Sequence, residues 1–178
     1  RFVMSKVKEI KKCISNFLNT KGYETIVAPT NNAAPEGKYF SVSNSIVSDY
    51  GSKMFNREVE QGKDTIYESI HQNIMGIVIH EIDGDGEDLR QIKHLLQTSE
   101  FEDHVRNWFY DEEKPHENNA FTTLDFQSIT DLTTKDGDFF VQQYVFEFNI
   151  MFNDYVAQEF NGVTEGIELD LNEESLII

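Results

Sequence analysis

The residues of this chain that could do chemistry are its carboxylates and histidines, and the densest arrangement is the glycine-broken run Asp83-Gly-Asp-Gly-Glu-Asp88. Asp83, Asp85 and Glu87 stand at the first, third and fifth positions, where a calcium loop places oxygen ligands. Its sixth position is Asp88, where such a loop turns on glycine, and its twelfth is His94, where a bidentate glutamate closes the shell. We therefore read a solvated turn whose acids favour the N-terminus of the helix that follows. Glu36-Gly-Lys38 is half of the Asp…Glu-x-Lys nuclease pattern, but no aspartate precedes Glu36, so the metal-binding pair is not assembled in the usual chain order. His71, His80, His94, His104 and His116 form no H-E-x-x-H motif and no i, i+4 pair, and with Cys13 as the sole cysteine no ordinary zinc set exists. No G-x-S-x-G elbow occurs. The expectation is a chain with no catalytic residue, no metal and no cofactor.

Charge narrows the partners. The net charge is −17, from 15 basic and 32 acidic residues, far from what a phosphate-gripping protein carries. The first 21 residues run the other way, with Arg1, Lys6, Lys8, Lys11, Lys12 and Lys21 against Glu9 alone. That basic stretch reads as a solvated helix face, or as a surface that meets an acidic neighbour. No apolar run approaches the ~20 residues of a membrane helix and no signal-peptide pattern opens the sequence, so a soluble, unsecreted protein is expected. Cys13 sits in a helical pattern as a small buried apolar residue, which agrees with a reducing cytoplasm.

These residues hang on elements that periodicity predicts. Residues 4–18 form an amphipathic helix with Met4, Val7, Ile14, Phe17 and Leu18 on one side, Lys6, Lys8, Glu9, Lys11 and Lys12 mostly opposite, and Gly22 as its C-terminal cap. A short strand over 23–28, a loop held by Pro29 and Pro35, and an extended run over 39–47 follow. Residues 48–64 read as a long loop or protruding hairpin. The central element is the extended run 65–82, whose Ile66, Ile70, Ile74, Val78 and Ile82 share one parity and are expected to face the core. It turns directly into a helix carrying Leu89, Ile92, Leu95 and Leu96. The helix restarts at the Ser99-x-x-Glu102 capping box, so that Phe101, Val105, Trp108 and Phe109 are buried.

After an exposed connection over 110–119 and a strand over 120–129, Lys135-Asp-Gly137 is hairpin chemistry. Beyond it Phe140, Tyr144, Phe146, Phe148, Ile150 and Phe152 share a core face, with Gln143, Glu147, Asn149 and Asn153 opposite. From 159 onward the chain has acidic residues and no basic one, yet Ile167, Leu169 and Leu171 alternate with Glu168 and Asp170. We expect one α+β domain over 1–158, mainly an antiparallel sheet with an N-terminal helix and a central helix or helix pair packed on one face, and an acidic extension over 159–178.

The element order, together with Pro35 just before a strand, the helix with Leu95-Leu-Gln-Thr-Ser-Glu-Phe101, and the closing strand Tyr144-Val-Phe-Glu-Phe-Asn-Ile-Met-Phe152, resembles the neck or tail terminator proteins of tailed bacteriophages over roughly residues 5–155. The resemblance implies a structural virion subunit, made in the host cytoplasm, that forms a homo-oligomeric ring, typically a hexamer. It implies a ring that caps the tail tube or joins the tail to the head connector, touches neighbouring connector, tube or sheath proteins, and lets DNA pass without specific binding. It implies no catalytic residues and no membrane contact. Within such a ring the chain ends are candidates for subunit or partner contacts: Lys8, Lys11 and Lys12 at one end, and Glu165, Ile167, Glu168, Leu169, Asp170 and Leu171 at the other, the latter adding as a strand to a neighbour's sheet edge. A small acidic adaptor for a basic protein partner is the alternative, and an unrecognised enzyme a third reading.

Overall fold

The computed structural model describes residues 2–29, 33–49, 55–61, 64–115 and 117–158, so the extension at 159–178 lies outside the described residues. In chain order the elements are helix α1 (Phe2–Thr20), strands β1 (Thr25–Val27), β2 (Tyr39–Asp49), β3 (Phe55–Gln61) and β4 (Asp64–Ile82), helices α2 (Glu87–Leu95) and α3 (Ser99–Trp108), and strands β5 (Phe121–Leu124), β6 (Thr130–Asp131), β7 (Thr134–Asp136), β8 (Phe139–Val141) and β9 (Gln143–Gln158). The fold is α+β, with a mixed sheet of mostly antiparallel strands in the order β1-β2-β4-β9-β5. Among the described strands only β1 and β2 run parallel. No helix among the described residues is long and apolar enough to cross a membrane.

Two long strands make the spine. β4 pairs with β9 without a break from Tyr67↔Gln158 to Ile82↔Gln143. At 19 residues β4 spans about 60 Å, and its other edge is shared by two partners, β3 over 64–70 and β2 over 73–82. The stretch expected as a loop or protruding hairpin at 48–64 contains the β3–β4 hairpin, with Gln61 opposite Asp64.

The helices cover one face of this sheet, and the face of β4 they cover is not the expected one. Met75, Ile77 and Ile79 are fully buried with α1, α2 and α3 above them, whereas Ile74, Val78 and Ile82 are half-buried on the opposite face. The residues 74–79 are apolar at both parities except for Gly76, so alternation alone does not mark a side. The choice is made by β9, where Phe146, Phe148 and Ile150 lie opposite Ile79, Ile77 and Met75. Polar residues of the same β4 face are buried too: Asn73 donates to Asp154 Oδ2 at 3.3 Å, and Glu81 meets the turn before α2. A parity rule that rejects polar residues from the core discards this face.

α1 ends in a Schellman motif: the Tyr23 amide donates to Leu18 O at 3.1 Å and the Gly22 amide to Asn19 O at 3.0 Å, with Gly22 at φ 88°. α2 and α3 are separate, as expected, but the residue that caps α3 is Thr98, whose hydroxyl accepts from the Phe101 amide at 3.4 Å. Phe17 and Phe101 meet at a ring-centroid distance of 5.0 Å, which joins α1 to α3. Trp108, expected in the core, is partly exposed at the end of α3, because the chain leaves the helix there before a further turn could cover it.

The aromatic row of β9 holds for Phe146, Phe148, Ile150 and Phe152, all buried, with Tyr144 packed at its edge. Phe126 stacks on Phe148 at 4.7 Å and 8°. Phe140 is a correction: it is 69% exposed, since β8 pairs with β7 in a separate two-stranded sheet and the chain shifts to the main sheet only at Gln143. The strand expected over 120–129 is interrupted. β5 ends at Leu124, Asp125 takes φ 49°, the Gln127 amide donates to Glu147 O at 2.8 Å, and β6 resumes along the same edge of β9.

Candidate assembly surface

The hairpin β7–β8 turns on Gly137 at φ 61° with Thr134↔Val141, Lys135↔Phe140 and Asp136↔Phe139 in register. Phe139 and Val141 therefore lie on one face and Phe140 on the other. Phe139 is 79% exposed, and Leu132 and Val141 are also open to solvent, so the arm carries a run of apolar side chains that the described residues leave uncovered. Its root is fixed. The Leu132 amide donates to Gln143 O at 2.8 Å and the Asp83 amide to Gln142 O at 3.0 Å, while Gln143 Nε2 lies 2.7 Å from His80 Nδ1. Hydrogen bonds from the Thr133 hydroxyl and amide hold the Asp131 carboxyl below its ordinary range. A rooted arm with an apolar tip is suited to docking rather than to chemistry.

Further along the same edge of β9 the surface is concave. Between α3 and β5 lies a groove of about 330 Å³, with Phe101, Val105 and Phe121 at its base, Glu102 and Arg106 on the helix rim and Thr123 on the strand. β5 is the last strand in the sheet order. Around the corner a wider cleft of about 530 Å³ is lined by Glu9, Asp111, Glu112 and Asp154 among carboxylates and by Trp108 and Tyr110 among aromatics. Lys6 closes one side of it: its ammonium donates to Asn119 Oδ1 at 3.0 Å and to Asn153 O, and lies 5.6 Å from the Phe152 ring centroid. Burial lowers Lys6 to a pKa of about 8, against the pull of Asp154 and Glu117. Burial raises the Asp154 carboxyl in turn, with Lys6 and His71 opposing.

Three of the residues expected to form an interface at the chain ends can be placed. Lys8 is exposed, and Lys12 is 2.6 Å from Glu9. Lys11, expected on the polar face of the helix, is instead 7% exposed: its ammonium donates to Ala28 O at 2.9 Å, and burial lowers its pKa. It lies on the helical line Val7, Lys11, Ile14, Leu18, so its stem packs on the core while its tip reaches a backbone carbonyl. Lys6 turns inward as well, and the lysines of α1 do not form one basic patch. Glu165, Ile167, Glu168, Leu169, Asp170 and Leu171 lie outside the described residues. The hairpin tip and the α3–β5 groove were not singled out by sequence reasoning, although Phe139-Phe140 directly after a Lys-Asp-Gly turn was a readable signal.

The run 83–88 is organised around a carboxylate outside it. Glu81 is 0% exposed; its Oε2 accepts from the Leu89 amide at 3.3 Å, and Lys38 Nζ lies 3.2 Å from Oε1, an ionic contact without hydrogen-bond alignment. The same ammonium reaches Asp88 Oδ2 at 2.5 Å. Desolvation depresses Lys38, but the carboxylates of Asp88 and Glu81 beside it outweigh this and raise its pKa. A Cβ on Gly84 would stand 1.9 Å from Glu81 Oε1, and one on Gly86 2.9 Å from the Tyr144 ring, which explains both glycines. The arrangement anchors the start of α2. Among the described residues no group of three His, Cys, Asp or Glu side chains could hold a metal ion. Compared with models of known protein families the chain gives no match, and compared with curated proteins it gives none.

Proposed function

We propose that this chain is a structural subunit of a homo-oligomeric ring, of the kind that the neck or tail terminator proteins of tailed bacteriophages form, and that it acts by assembly rather than catalysis. The observation that carries the reading is the rooted hairpin β7–β8 with Phe139 and Phe140 in solvent. Contiguous exposed apolar side chains mark protein contacts, and a ring needs such a contact on every subunit. On this reading the ring caps the tail tube or joins it to the head connector, and its place is the virion. The charge of −17 fits such a channel, because acidic walls repel phosphate and let DNA slide through. Sedimentation velocity and native mass measurement over a wide concentration range test it. The expected result is a closed species at a fixed multiple of 20.6 kDa; a strict monomer at every concentration overturns the proposal.

A second reading, an acidic adaptor for a basic protein partner, draws on the wider cleft, where Glu112 and Asp111 stand beside Trp108 and Tyr110. Carboxylates next to aromatic faces suit a lysine or arginine side chain. A monomer that binds a lysine-rich peptide, and loses it with Glu112→Lys, would favour this reading over the ring.

A further inference from the structure

The exposed hairpin springs from the start of β9, and the α3–β5 groove lies along the middle of that strand. Gln143, at the root of the hairpin, and Ile150, opposite Thr123 on the near side of the groove, are seven residues apart along one continuous strand, about 23 Å at ~3.3 Å per residue. The strands of the hairpin are three residues long, about 10 Å, so the arm cannot reach the groove of its own chain. Each copy thus presents a knob and a recess that only another copy can bring together, which is the condition for head-to-tail association.

The two surfaces match in three respects. The base of the groove is apolar, with Phe101, Val105 and Phe121, and the arm offers Phe139 and Val141 on a single face. The helix rim carries the exposed ion pairs of Arg106 with Glu102 at 3.5 Å and with Asp103 at 3.0 Å, which Lys135, Asp136 and Asp138 of the arm can extend into a wider network. Among the described strands β5 ends the sheet order, and an outer strand edge accepts an added strand through backbone hydrogen bonds. We infer that the hairpin β7–β8 of one copy docks against β5 of a second copy, with β8 alongside the strand edge and Phe139 seated between α3 and β5. The inference rests on the ring reading and names the contact that builds the ring.

The test uses the full chain with one knob variant, Phe139→Ser, and two groove variants, Thr123→Trp, which fills the recess, and Arg106→Glu, which inverts an exposed rim charge. Circular dichroism melts establish that each is folded; should Thr123→Trp fail to fold, Arg106→Glu stands in its place. Each variant alone is expected to weaken assembly about tenfold or more in dissociation constant. Mixing Phe139→Ser with a groove variant should give 1:1 dimers and nothing larger, because a single intact knob meets a single intact groove. If the groove variants assemble as the wild type does while Phe139→Ser does not, the knob docks elsewhere and the inference is overturned with the ring intact. If all three assemble normally, the ring uses other surfaces and the inference is likewise overturned. A wild type that is monomeric throughout overturns the ring reading itself.

Discussion

The Ser45 hydroxyl donates to Glu147 Oε1 at 2.8 Å, and this bond from β2 to β9 crosses β4 directly over Gly76. A Cβ at Gly76 would lie 2.1 Å from Ser45 Oγ and 2.4 Å from Glu147 Oε1, so the glycine keeps open the space in which the bond forms. The three strands are tied across the sheet face opposite α1, α2 and α3.

Gly76→Ala should break this bond. Hydrogen bonds to a charged group contribute about 1.5–3 kcal/mol, and alanine in place of strand glycine returns about 0.5–1 kcal/mol, so we expect a net loss of about 1 kcal/mol in urea denaturation. In a Glu147→Ala background the bond is already absent, and Gly76→Ala should then be neutral or stabilising. Equal costs in both backgrounds would show that crowding of the added Cβ against β2, and not the Ser45–Glu147 bond, sets the preference for glycine.

The side of β4 that faces the helices is testable by neighbouring residues. Ile77→Ala should cost about 2–5 kcal/mol, and Val78→Ala, half-buried on the open face, about 1 kcal/mol. On β9, Phe148→Ala should cost about 3–5 kcal/mol and Asn149→Ala about 0.5 kcal/mol. A larger loss at Val78 than at Ile77 in chemical denaturation would reverse the sheet and refute the packing described above.

Lys6 gives a pH signature. Its pKa falls from 10.5 unfolded to about 8 folded, so between these values the unfolded chain holds more protons on this group and stability rises with pH. The penalty for burying the ammonium is complete below pH 8 and is relieved by pH 10.5. Cys13, raised by burial from 9.0 to about 12, works the other way above pH 9. The informative quantity is therefore the stability difference between wild type and Lys6→Gln, which should move in favour of wild type from pH 8 to 10.5. A difference that stays flat over that window would mean that Lys6 keeps its ordinary pKa in the folded protein.

What the sequence by itself determined was the set of elements and most of their ends. Helical spacing, Gly22, the restart near Ser99, the Lys-Asp-Gly turn and the aromatic alternation of β9 are local signals, each written in a few adjacent residues. Which face of β4 is buried was decided by the tertiary structure, because both parities are apolar from Ile77 to Ile79 and the partner strand breaks the tie. So was the fate of the lysines: Lys11 shares a helical line with Val7 and Ile14, but only the carbonyl of Ala28 above it lets its ammonium be buried. Sequence spacing likewise gave no account of Glu81, which anchors a turn seven residues ahead of Asp88 through Lys38 from another strand edge. The apolar arm and its recess belong to the same class. Phe140 reads as core from its place in the aromatic alternation, and it becomes surface because β8 finds its partner in β7 rather than in the main sheet. Local chemistry fixes what a segment can be, and long-range pairing, which depends on what the rest of the chain has already covered, fixes which side of it meets water.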